Sequence, residues 1–201
     1  MIKDRKRRGS TASLTSIRER DVILVAVGHD DLAPDKRVAR IRGLLKRLPG
    51  PLGNGEMLVW VNPGDAESVP QDVFTLVEGV DDRLERWGPG GSAASVPANP
   101  ADLMTKLSEV EQPAAVDVLG WLLSTTMAYG GPGRYGERKA RDVVNTLVGL
   151  LGHGTRWWVN TETVGTKGAR GWNPVTRCTF DAVVAGAGGG VLVTVLAVDE
   201  D

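Results

Sequence analysis

His29, Asp30 and Asp31 follow directly on the apolar run VILVAVG at residues 22–28. In open α/β sheets, ligands bind outside the carboxyl ends of the strands. Two adjacent carboxylates with a histidine at such an end have the chemistry to hold a divalent cation or to supply a base. Asn62 and Asp65, in WVNPGD, close a second strand-like run and would share that sheet edge if the two strands ran parallel. Backbone chemistry explains the same residues without catalysis. Gly28 ends a strand, and Asp30 or Asp31 accepts N–H bonds at the start of a turn or helix. The candidate catalytic residues are therefore His29, Asp30, Asp31 and Asp65, with no metal site assigned.

A second cluster, GGPGRYGERK at 130–139, places Gly131, Gly133, Arg134 and Arg138 where a glycine-rich loop opens a helix, with Lys139 beside them. Free N–H groups and a positive helix end suit an anion. The loop nevertheless lacks both the GxxxxGK[ST] and the GxGxxG pattern and follows a helix, whereas both nucleotide motifs need a preceding strand. A helix–helix turn relieved by glycine accounts for it equally.

Trp157, Trp158 and Trp172 form the third group. Neighbouring tryptophans on a strand point to opposite faces, so one is expected in the core and the other against a second layer, a ligand or a partner. Tryptophan is common at binding hot spots, which makes these three the interface candidates. Base stacking beside Arg156, Lys167 and Arg170 is the rival use, although nucleic-acid sheets show several aromatics in register. Cys178 is expected to face the core as a small apolar group. His153, between two glycines where a helix ends, has a structural role there.

The elements that must position these residues follow from periodicity. Residues 1–18 are basic and small-residue rich with nothing to bury, and are expected to be a disordered arm. Residues 19–88 read as a βαβα unit. The apolar run is followed by a helix with Val38, Ile41, Leu44, Leu45 and Leu48 on one face and Lys36, Arg37, Arg40, Lys46 and Arg47 on a solvated one. The break PGPLGNG leads to the strand EMLVWVN, and a helix with Val73, Leu76, Val77, Val80 and Leu84 on one face comes next. Strand, helix, strand at this spacing predicts a right-handed parallel unit.

GPGGSAASVPANP marks a linker at 89–100. Residues 101–201 then give a short helix near 101–109, a helical hairpin at 113–128 and 135–151, and a three-stranded antiparallel meander. This half is expected to share one core with 19–88. The last strand is apolar on both faces, with Val191, Val193 and Val195 opposite Leu192, Leu196 and Val198, so it belongs in the middle of a sheet. The fold class is mixed α+β.

Composition bounds the function. The 201 residues are 41% hydrophobic, enough for a core, and the formal charge of −1 gives no global field for nucleic acid or an anionic membrane. One cysteine excludes an intramolecular disulfide and a cysteine-based zinc centre, which fits a cytoplasmic protein. No secretory signal and no membrane-spanning run is visible. Abundant Ala, Gly and Val, with Arg over Lys, suggest a GC-rich bacterial source.

Two functions are compatible with this reading. The leading one is a non-enzymatic protein–protein interaction protein, an accessory, immunity or assembly subunit, because aromatic and charged surfaces are present while no acid, base and nucleophile assemble. The alternative is a small metal-dependent α/β hydrolase or phosphoryl-processing enzyme using His29, Asp30 and Asp31. No cofactor is predicted. The expected partner is another protein, with nucleic acid a second candidate through the basic arm and no membrane.

Overall fold

A computed structural model describes residues 32–52, 54–84, 96–161 and 171–200. Among these residues, five α-helices pack on the two faces of a six-stranded sheet. The helices are α1 (Pro34–Leu45), α2 (Val69–Leu84), α3 (Pro100–Lys106), α4 (Gln112–Ser124) and α5 (Glu137–Leu151). The strands are β1 (Gly50–Leu52), β2 (Gly55–Pro63), β3 (Ser108–Val110), β4 (Arg156–Val159), β5 (Phe180–Gly188) and β6 (Val191–Asp199). They lie in the order β1-β2-β6-β5-β4-β3, with every neighbouring pair antiparallel.

Alternation along the strands divides the core in two. Met57, Val61, Trp157, Val159, Val193 and Val195 face α1, α4 and α5. Leu58, Trp158, Val183, Leu192 and Leu196 face α2 and α3 on the other side. β6, between β2 and β5, is buried at every position, which matches its two-sided apolar sequence. Each fully buried Val or Leu contributes about 1.5–3 kcal/mol, so this strand anchors both layers. Its hairpin with β5 turns through Gly189 and Gly190, at φ 58° and 74°. Two consecutive positive values define the turn whose twist matches paired strands. Gly186 is needed for a different reason: a Cβ there would come within 2.5 Å of the Trp157 indole on the paired strand.

The mixed α+β class and the C-terminal β4-β5-β6 meander agree with the sequence reading. The parallel pairing expected between residues 22–28 and the second strand lies outside the described residues; the described neighbours of that strand, β1 and β6, are both antiparallel. The long β2–β6 ladder, from Glu56↔Val198 to Pro63↔Val191, joins the two halves of the chain into one sheet. The PGPLGNG break is itself partly strand, because its residues 50–52 fold back on Gly55–Met57. The expected arm, the first strand at 22–28 and most of the 89–100 linker lie outside the described residues. Of the linker, residues 96–99 lead into α3, where the Asn99 side chain accepts from the Asp102 N–H at 2.9 Å.

Candidate functional site

The end of β2 carries the candidates that the structure describes. Asp65 accepts from the Ser68 N–H at 3.1 Å and from its hydroxyl at 2.8 Å, and so caps the short 3-10 turn Ala66–Ser68. The Ser68 hydroxyl holds its carboxyl below the ordinary range. Asn62 takes a different role. It accepts from Arg42 and donates to Asp72, at 3.4 Å each. Burial pushes the Asp72 carboxyl up, against the pull of the Asn62 amide. Asn62 and Asp65 thus share one end of the sheet and serve separate networks. His29, Asp30 and Asp31 lie outside the described residues, as do Lys167 and Arg170. Among the described residues, no group of three or more His, Cys, Asp or Glu side chains is placed to hold a metal ion.

In the glycine-rich loop, the Arg134 guanidinium donates to the carbonyls of Leu48, Gly50 and Pro51, tying the loop to β1. Gly133 lies against the Ser124–Thr125 backbone, where a Cβ would come within 2.4 Å of the Thr125 nitrogen. Gly131 donates to the Thr126 hydroxyl at 2.9 Å. Arg138 is exposed on the first turn of α5.

The tryptophans divide as their alternation requires, with Trp157 in one core layer and Trp158 in the other, both buried. The second layer that Trp158 reaches is the protein's own, made by α2 and α3. Arg156 covers the Trp158 ring at 5.0 Å and pairs with Glu109 at 2.8 Å. Trp172 is half-buried beside Phe180, with ring centroids 5.4 Å apart. Cys178 is buried in the α2/α3 layer, where loss of solvent pushes the thiol up to about 12. His153 is exposed in the turn after α5, between Gly152 and Gly154 at φ 83° and 76°.

Two features escaped the sequence reading. Asp181, in the apolar run of β5, is buried and accepts from Val175 N–H (2.9 Å), Thr176 N–H (2.7 Å), the Thr176 hydroxyl (2.9 Å) and the Asn160 amide (2.7 Å). A lone carboxylate within a buried strand is the signal that marks it, since such a group needs partners. Burial outweighs these donors and raises its pKa. Arg37, assigned by helical period to the solvated face of α1, is instead buried below the β5–β6 turn. Its guanidinium donates to the carbonyls of Leu151 and Leu32 at 3.5 and 3.4 Å, and the glycine at 189 leaves room for it.

Exposed cations gather on one of the two helical layers, while exposed acids occur on both. Lys36, Arg40 and Arg47 on or just after α1, and Arg138, Lys139 and Arg141 on the adjacent α5, are all exposed on one side. Asp65, Glu67 and Glu78 are exposed on the other, on or just before α2. Among the described residues, no helix is long and apolar enough to cross a membrane. No protein-family model, no curated protein and no solved structure matches this chain.

Proposed function

We propose that this protein is a non-enzymatic interaction module that docks an acidic protein surface on the cationic face formed by α1 and α5. The observation that carries this reading is the concentration of exposed cations on α1 and α5 in a chain whose formal net charge is only −1. Among the described residues, eight exposed cations, Lys36, Arg40, Arg42, Lys46, Arg47, Arg138, Lys139 and Arg141, sit on or just after α1 and on α5. Such a patch on a chain of near-zero net charge orients an approaching partner and raises its association rate without drawing in polyanions indiscriminately. Asp35, Glu137 and Asp142 are interspersed on the same two helices. That mixed pattern favours a partner with its own arrangement of carboxylates over a uniform phosphate backbone.

The test compares labelled poly-L-glutamate with a labelled DNA duplex by fluorescence anisotropy, using the full chain and an Arg40→Glu/Arg141→Glu variant. Both substitutions are at exposed positions and should leave the fold intact. The reading predicts binding of poly-L-glutamate that weakens with added salt, falls at least tenfold in the variant, and exceeds binding of the duplex. Tighter binding of the duplex, or equal binding by the variant, would refute it.

A further inference from the structure

Among the described residues, β2 is paired from Glu56 to Pro63 on one side and along only part of that length on the other. β6 runs beside Glu56–Pro63, whereas β1 covers Gly55–Met57 alone. Beyond Met57, the edge facing away from β6 meets no described strand. The Val61 carbonyl marks that edge: it accepts from Arg42 Nε at 3.0 Å and Nη2 at 2.7 Å, so a side chain stands where a ladder donor would be. Because N–H and C=O of one residue point the same way and successive residues alternate, Val59 presents its backbone groups on the same side. The side chains agree. Val59 and Trp60, on opposite faces, are half-buried, while Met57, Leu58 and Val61 around them are buried. A groove of about 380 Å³ lies along this edge, lined by Arg42, Leu45, Lys46, Pro49 and residues 59–62.

The chain outside the described residues ends close by. Leu32 packs against the α1/α4/α5 core, and its carbonyl is held by Arg37. Pro34 touches Gly190, where a Cβ would lie 3.0 Å from its Cγ, and Gly64 N–H donates to the Gly190 carbonyl at 3.1 Å. The entry to α1 is therefore at the Pro63 end of β2. Four residues span at most about 14 Å, so the tether brings Gly28 within reach of that same end, and a strand finishing there would run in the direction of β2. Its sequence, VILVAVG, has the β-branched and apolar content of a buried strand. α1, packed on β2, supplies the crossover that a parallel neighbour requires.

We infer that the open edge of β2 at Val59–Val61 is the docking site of this chain's own residues 22–28, added parallel to β2 as a further strand. A tether of a few residues makes the docking intramolecular and favours it over an untethered strand. A backbone N–H of the incoming strand takes the Val61 carbonyl in place of Arg42. Unpaired edges recruit other chains, and an own-chain strand covers this one.

Amide hydrogen exchange on the full chain, resolved by NMR, tests the inference independently of any partner. Residues 22–28 and the amides of Val59 and Val61 should exchange at least 100-fold more slowly than residues 1–18, at rates unaffected by tenfold dilution. In full-length Val25→Pro, which removes one ladder donor, Val59 and Val61 should lose protection while the β5–β6 ladder keeps it. Exchange of 22–28 at the rate of residues 1–18 would overturn the proposal. So would protection that disappears on dilution together with a doubled mass in sedimentation, which would assign the edge to a second copy.

Discussion

Asp181 is the residue whose environment differs most from what its neighbours in sequence suggest. Four donors converge on its carboxyl, and Asn160, which supplies one of them, also accepts from the Val183 N–H at 2.7 Å. The side chain thereby fastens residues 173–176 to the sheet. Asp181→Ala would leave several buried donors unmatched, at about 1–3 kcal/mol for each group stranded, so a loss of about 3 kcal/mol or more is expected in urea denaturation. Asp181→Asn, which keeps one acceptor oxygen, should lose less.

The pH dependence follows from the raised folded-state pKa. A carboxyl that holds its proton more tightly when folded contributes its full stability below the unfolded value near 3.8, and that contribution declines as pH rises through the higher folded value. The advantage of the parent over Asp181→Asn should therefore shrink from pH 3.5 towards pH 6. An advantage that grows over this range would show that the four donors outweigh burial. Neither Asp181 nor the buried Arg37 was legible beforehand, because hydrophobic period assigns a face and carries no information on which polar groups will meet across 20 residues or more.

At the level of elements, β6 and Arg134 show opposite degrees of legibility. The two-sided apolar sequence of β6 announces a central strand, since an edge or solvent-facing strand would alternate. Val193→Asp should place an unpaired carboxylate in the α1/α4/α5 core at a cost of several kcal/mol, comparable with the stability of a whole domain. Insoluble or unfolded protein is the expected result, and a soluble variant of parental stability would contradict the assignment. β1 was read as a break because three residues between prolines and glycines offer no alternation to recognise. Its position depends on a guanidinium from far along the chain. Arg134→Ala removes the donors that hold Leu48, Gly50 and Pro51. Amide exchange at residues 50–52 should accelerate at least tenfold in that variant while the β5–β6 ladder is unchanged. The antiparallel placement of β2 was likewise hidden, since strand-helix-strand spacing constrains only the segments it contains, and β6 arrives from 130 residues away.

For the molecule as a whole, the described exposed cations concentrate on one of the two helical layers that the sheet separates. α1 and α5 present Lys36, Arg40, Arg47, Arg138, Lys139 and Arg141, and the α2 side presents Asp65, Glu67 and Glu78. The basic stretch of α1 was visible in the sequence, but its continuity with α5 was not, because adjacency of the two helices is a product of packing on β2, β5 and β6. Of the tryptophans, the interface candidates of the sequence, Trp157 and Trp158 pack into the two core layers and Trp172 is half-buried beside Phe180. A titration of isotope-labelled full chain with poly-L-glutamate, followed by NMR amide shifts, tests the cationic face most directly. The account predicts that perturbed amides cluster on α1 and on the first turns of α5, and that the shifts are suppressed by salt as surface charges are screened. Perturbations confined to α2 and α3, or none at low salt, would contradict it.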